Sequence, residues 1–314
     1  MSKWLKNILG LVVLGFLLWY LVGHWEQLKS LFKLSPKQLL VMYCLWFLIA
    51  MSGASAVQRL LNALKVKTGF GDMLMLQHAS LLLNYVPMKF GTVFRANYLK
   101  RHYGLAYTHF ATFFLYITFL MTAVAATAGL AVLLGIYGLG EYENKILAVV
   151  FTITIIGSLS FLIVPLPLPA GKGRLSSTFR KFLTGRSQIS KDRKTILEVA
   201  ALLGVNFLFD AVRLWIIYSS MGENVNVAGF LMLGALSFVV LFVGLTPGSL
   251  GIREFVLGFG ATIAGVPMEV GILAAMIDRA ITVSYIFVAG GICAIWLWHK
   301  SPADFKEQRN NYPA

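Results

Sequence analysis

Charge is scarce in this chain: of 314 residues only 13% are Asp, Glu, Lys or Arg, and 13 residues in all are acidic. Set against 58% hydrophobic residues and a mean hydropathy of +0.76, that scarcity excludes a soluble globular domain. Cysteine is nearly absent. Cys44 and Cys293 stand alone inside apolar runs, where a thiol behaves as a small hydrophobe and carries no information on redox compartment. Histidine is sparse too, and His78 and His109 lie far from any other His, Cys or acidic cluster, so spacing offers no metal site and both are expected to be satisfied structural residues. There is no Walker A sequence, no Gly-x-Ser-x-Gly, no His-Glu-x-x-His and no Cys-x-x-Cys pair. ATP hydrolysis is thereby excluded, no cofactor is expected, and the chain does not read as an enzyme. Any transport would run downhill or on an ion gradient.

What is present is a series of long apolar runs: 7–23, 38–57, 108–136, 146–166, 196–219 and 270–298. Most approach or exceed the roughly 20 residues needed to cross a hydrocarbon core. The first follows Lys3 and Lys6 but has no Ala-x-Ala site, and it reads as a retained helix rather than a cleaved signal. The chain is thus expected to be a single all-α polytopic membrane domain over 1–314.

The basic residues are unevenly placed. The net charge of +14 would suggest nucleic acid in a soluble protein, yet here Lys and Arg gather in short segments between spans, the pattern of membrane orientation and of contact with anionic headgroups. No nucleic acid partner is expected. The segment 168–195 reads as a basic cytoplasmic loop, with eight Lys and Arg against the single acid Asp192. Loops around Glu141 and Glu143, and around Glu223, read as external.

Two breaks interrupt otherwise apolar sequence: Pro87-Met-Lys-Phe-Gly91-Thr-Val-Phe-Arg95 and Pro247-Gly-Ser-Leu-Gly251-Ile-Arg253-Glu254. Each is a Pro-x-x-x-Gly followed closely by arginine. Proline removes a backbone donor and clashes with the preceding turn, and glycine loosens what remains, so Pro87, Gly91, Pro247, Gly248 and Gly251 mark helix breaks. Matched breaks in two halves of a chain point to a transporter's binding site.

Charge placement orients them. Arg59, Lys65 and Lys67 precede the first break, Lys100 and Arg101 follow it, and all favour the cytoplasm, so 72–97 is expected to enter and leave on one side. Treating 228–265 in the same way gives six full spans plus two re-entrant hairpins of opposite orientation, with both termini cytoplasmic. Eight ordinary crossings also fit hydropathy. The hairpin plan implies an inverted repeat, about 38–136 and about 196–298, around a midplane site.

Charge at membrane depth costs about 2.5–3.5 kcal/mol per residue on insertion scales, so Lys89, Arg95, Arg213, Arg253 and Arg279 need partners or water. Guanidinium groups match phosphate oxygens in a bidentate way, and a helix amino terminus adds favourable partial charge. Lys89, Arg95, Arg253, Glu254 and Arg279 are therefore candidate substrate-binding residues, with Asp210 and Asp278 as counter-ions or ion-coupling groups. The plainer alternative is that each acid neutralises a neighbouring arginine and ties hairpin to bundle. Asn206, Asp210 and Arg213, four and three residues apart, share a helix face on which Asp210 and Arg213 can pair. Asn84 and Tyr85, just before the first break, can hydrogen-bond either a substrate or the backbone groups freed by Pro87, and the second is expected.

At the two breaks, and at Gly265-Val-Pro267 and Asp278-Arg279, the chain resembles the membrane portion of the lysylphosphatidylglycerol synthase/flippase proteins and their stand-alone relatives, over roughly 10–300. Ser249 stands where that family often has a second glycine. The resemblance implies a helical domain of the inner membrane that moves a phospholipid or lipid-linked molecule between leaflets. It also implies that the lipid-handling half is what this sequence holds, without the soluble aminoacyl-transfer domain. The alternative is a membrane accessory protein for a lipid- or polysaccharide-modifying enzyme that moves nothing itself, and a homo-oligomer or partner enzyme fits either.

Overall fold

A computed structural model describes residue 23 and residues 34–86, 90–164, 173–240 and 251–299. Nearly all of the 7–23 run, Pro87 to Lys89 of the first break, and Pro247 and Gly248 of the second lie outside the described residues.

The described residues form ten α-helices and no strand: α1 (Pro36–Ala63), α2 (Phe70–Leu83), α3 (Phe90–Tyr103), α4 (Tyr107–Val132, continued by a π-turn at Leu133–Tyr137), α5 (Tyr142–Ile163), α6 (Arg174–Lys191), α7 (Arg193–Ser220), α8 (Val227–Val239), α9 (Ile252–Ile263) and α10 (Met268–His299). Local chemistry fixes several starts. Ser35 caps α1 reciprocally: its Oγ accepts from Gln38 N at 3.3 Å while Gln38 Oε1 accepts from Ser35 N at 3.0 Å, with Pro36 in the first turn. Asn226 Oδ1 accepts from Gly229 N at 2.7 Å to open α8. Asp192 opens α7, and hydrogen bonds from Thr195 hold its carboxyl below the usual range.

Five of the expected spans are present. With its π-turn α4 has 31 residues, α1 and α7 have 28 each, α5 has 22, and the apolar part of α10 has 30, all beyond the roughly 20 needed for a crossing. Exposed Val149, Ile153, Ile156 and Ile163 on α5, and Val288, Ile292 and Ile295 on α10, give these helices an apolar outer surface suited to lipid. The protein is therefore a multi-pass membrane protein.

The remaining apolar helices are short. At 1.5 Å per residue, the 14 residues of α2 and of α3, the 13 of α8 and the 12 of α9 each reach only about 20 Å, against about 30 Å for the hydrocarbon core. They pack as two antiparallel pairs. In the first, the Tyr103 hydroxyl at the end of α3 donates to Asp72 Oδ2 at the start of α2, and Thr92 N at the start of α3 donates to Asn84 Oδ1 at 3.0 Å. Asn84 thus serves the backbone after the break, as expected. In the second pair, a Cβ on Gly229 would meet the Ala264 Cβ at 3.1 Å, and one on Gly260 would meet Leu236 Cδ1.

The pairs are exchanged between the two halves. α1 and α7 cross antiparallel, with Ser52 Oγ donating to the Leu202 carbonyl at 2.6 Å and Arg59 Nη1 lying 3.2 Å from Glu198 Oε2. α4 packs on α8 and α10 packs on α2, each through a glycine. A Cβ on Gly129 would lie 2.7 Å from the Ala235 Cβ, and one on Gly290 would lie 2.8 Å from the His78 carbonyl oxygen. Small residues let apolar helices approach closely where no hydrophobic drive separates lipid from protein.

The segment 168–195, expected as a loop, is helical from Arg174 to Lys191. Leu183, Arg186 and Ile189 recur every three residues and are buried, whereas Arg180, Lys181 and Lys191 are exposed. The density of basic side chains hid this period in the sequence. Gly185 allows α6 to lie against His109 and Thr112 of α4. Its polar side chains then satisfy carbonyls that helix ends leave unpaired: Arg186 Nη2 donates to the Val164 carbonyl at 2.6 Å, and Gln188 Nε2 to the Ala63 carbonyl at 2.8 Å. Arg186→Ala is expected to lower stability by about 1.5–3 kcal/mol, the range for a hydrogen bond to a charged group. Thermal unfolding in detergent checks this, and an unchanged melting temperature would mean that α6 docks without Arg186.

Candidate functional site

On α7 the spacing of Asn206, Asp210 and Arg213 turns all three inward, and Arg213 becomes one of the largest fully buried side chains. Its Nε and Nη2 donate to Asp278 Oδ1 of α10 at 3.0 and 2.6 Å. Its Nη2 also lies 3.0 Å from Asp210 Oδ1, and its Cζ sits 4.3 Å from the centre of the Trp46 ring of α1. A guanidinium over an indole face gains cation–π attraction where water is excluded.

α9 joins this centre from the second hairpin. Arg253, the second residue of α9, donates through Nη2 to Asp278 Oδ2 at 2.7 Å. The next residue, Glu254, serves two purposes. Its Oε2 accepts from Gly251 N at 2.8 Å, closing the first turn, and its Oε1 lies 2.7 Å from Arg279 Nε. Consecutive residues on α9 thus engage consecutive residues on α10 crosswise, Arg253 with Asp278 and Glu254 with Arg279. The sequence reasoning that neighbours on a helix need different partners holds for Asp278 and Arg279. Asp210 and Arg213 do pair, though Arg213 makes its hydrogen bonds to Asp278.

The charges balance. Arg213 and Arg253 face Asp210 and Asp278 in one connected set of ion pairs on α7, α9 and α10, and Arg279 faces Glu254 in a separate pair beside it, so each set is neutral. Asp278 is the most enclosed acid, with its side chain 0% exposed, while Asp210 keeps 13%. Ion pairs at this depth are tolerated because each charge is met by an opposite one at hydrogen-bonding distance.

Arg95 is different. It lies on α3 in the first hairpin, only 9% exposed, and its Nε and Nη2 are buried without a hydrogen-bond partner among the described residues. No described contact joins it to the Arg253 network, so the arginines of the two hairpins do not form one cluster among the described residues. Lys89 lies outside them.

One contributor went unread in the sequence. Trp46 carries no charge and its only signal was its place inside an apolar run, yet it links Arg213 to an aromatic layer by stacking on Tyr285 at 5.8 Å. His78 completes that layer. Its Nδ1–H donates to the Leu74 carbonyl at 2.8 Å, which leaves Nε2 to accept from the Tyr285 hydroxyl at 2.8 Å. It is a satisfied structural histidine, as its isolation in the sequence suggested.

Five long apolar helices, two antiparallel pairs of short ones and an ion-pair centre between them define an all-α polytopic membrane protein. The family model for the lysylphosphatidylglycerol synthase TM region matches residues 7–291, and the chain belongs to that family, which ties it to the biology of membrane lipids. Comparison with curated proteins and with solved structures returns no match.

Proposed function

We propose that this protein is a flippase-like lipid translocator of the cytoplasmic membrane rather than an enzyme. It carries a phospholipid or lipid-linked molecule between leaflets, with headgroup phosphate held by arginines of the two hairpins. The observation that carries this reading is Arg95. A buried guanidinium with unpaired donors is costly unless an anion meets it, and phosphate supplies oxygens in matching geometry. Lys89 stands beside it in the sequence, and Arg253, Arg279 and Glu254 stand at the second hairpin.

The architecture supports the proposal further. The antiparallel α1–α7 crossing and the exchange of α2 and α8 between the halves fit an inverted repeat. Helices too short to cross fit re-entrant hairpins, α2–α3 from the cytoplasmic side and α8–α9 from outside, with both termini cytoplasmic.

The test is translocation of a fluorescent anionic phospholipid in proteoliposomes. Arg95→Ala is expected to slow it about tenfold or more, as loss of a charge-assisted hydrogen bond implies. Arg253→Ala should act in the same direction. Wild-type rates from Arg95→Ala would sink the role assigned to that residue. One observation favours the accessory reading instead: Arg213, Arg253 and Arg279 are already paired with acids. Wild-type protein that moves lipid no faster than empty vesicles would decide for it.

A further inference from the structure

Arg253 presents a difficulty for any phosphate site, because its charge is already cancelled. Within its connected set two arginines face two carboxylates, with the Glu254–Arg279 pair neutral beside them, and an arriving anion would be a third negative group in that set. Binding there needs one carboxylate to give up its charge. The three acids are not equivalent. Asp278 accepts three hydrogen bonds from two arginines and is fully enclosed. Glu254 is held by the Gly251 backbone N–H and by Arg279, and neutralising it would loosen the first turn of α9. Asp210 has a single arginine contact, at 3.0 Å, to a guanidinium that donates its hydrogen bonds to Asp278.

Resting on the translocator reading, we infer that Asp210 is a proton-binding site whose protonation releases Arg253 to take the phosphate of an anionic lipid headgroup, so that proton and lipid are taken up together. With Asp210 neutral, Arg213 keeps Asp278 through two N–H donors, and the set carries one net positive charge. Arg253 is the arginine best placed to express it. It contacts Asp278 through Nη2 alone, and its side chain is 15% exposed against 1% for Arg213 and 5% for Arg279.

The groups facing Asp210 are consistent with this. Arg213 pairs with it from α7, and the charges of Asp278 on α10 and Arg253 on α9 act on it through space. α1 contributes the uncharged Trp46 ring over Arg213, and the α8 contact with α7 is Gly234 against Ala211 and Phe207. Toward the first hairpin the polar face continues. The Asn206 amide, one turn from Asp210, and the Gln77 amide of α2 flank Gly53, and each has a buried oxygen without a partner among the described residues. Such oxygens suit hydrogen bonds from water, giving a proton a polar approach to Asp210. Because linkage is reciprocal, bound anion favours the protonated carboxyl as much as the proton favours the anion.

The proton site is tested separately from translocation. Purified wild-type protein in unbuffered detergent is mixed with micellar phosphatidylglycerol while a pH dye follows the solution. Wild type is expected to take up protons on binding, and Asp210→Asn to bind the lipid without uptake. Asp210→Glu should restore uptake and so guards against a folding defect. Absence of uptake by wild type while it binds lipid, or undiminished uptake by Asp210→Asn, would overturn the inference. In proteoliposomes, translocation of the fluorescent lipid should then rise about fivefold or more from neutral to acid buffer in wild type and stay flat in Asp210→Asn. A wild type that takes up protons in detergent but moves no lipid would overturn the translocator reading and leave the proton site standing.

Discussion

Asp278→Ala is expected to be the most damaging single substitution in this protein, lowering the stability of the bundle by about 3–5 kcal/mol, the cost of breaking a buried ion pair from one side. The carboxylate is wholly enclosed and, among the described residues, is the only acid that two arginines share, at 2.6 and 2.7 Å. Its loss leaves Arg213 with Asp210 alone and Arg253 with no carboxylate partner among its described ion pairs. Asp278→Asn retains the shape but not the charge, and it should fall between alanine and wild type. Removing a cation as well should be less than additive, because Arg213→Ala in the Asp278→Ala background deletes a charge that the first change had stranded. Thermal and denaturant unfolding in detergent measure all of these. An Asp278→Ala variant that melts with wild type would mean that the ion-pair centre is not closed in the folded protein.

The same centre shows where sequence reasoning reaches and where it stops. Apolar length located α1, α4, α5, α7 and α10 to within six residues at every end, because a span needs a length of apolar chain whatever it packs against. The short helices end at Leu83 and Val239 and their partners begin at Phe90 and Ile252, on either side of the Pro-Gly segments that the sequence marked, although Pro87 and Pro247 themselves lie outside the described residues. Partner choice was not local. Asp210 and Arg213 were visible as neighbours on one face, whereas the stronger link from Arg213 to Asp278 spans 65 positions and depends on how α7 meets α10. Trp46 offered no signal beyond its place as one tryptophan in an apolar run. The helix α6 was hidden by its own basic side chains, which look like a loop until Arg186 is seen to turn inward and use its charge on the Val164 carbonyl.

The two Pro-x-x-x-Gly breaks read as copies, yet their glycines answer to different constraints, and Gly91→Ala is the second substitution expected to have a large effect. A Cβ on Gly91 would run into the Ser80 carbonyl oxygen and lie 2.8 Å from Asn84 N. Both obstacles are backbone atoms of α2 and of Asn84 that caps it, so no side-chain rotation relieves the clash and α3 must move as a body. That motion would pull Thr92 N from Asn84 Oδ1 and Tyr103 from Asp72, the contacts at the two ends of the hairpin. The expected loss is about 3 kcal/mol, at the upper end for forced overpacking. Gly251 has nothing within 4 Å of a Cβ, but its φ of 80° with ψ of −48° is a conformation that side chains rarely adopt. Gly251→Ala is therefore expected to cost about 1–3 kcal/mol through backbone strain without separating any helices. Unfolding in detergent gives both losses, and cysteines placed at Asp72 and Tyr103 distinguish their causes. Cross-linking between those positions should fall in Gly91→Ala and persist in Gly251→Ala. Undiminished cross-linking in Gly91→Ala would mean that α2 and α3 do not owe their close approach to the missing side chain.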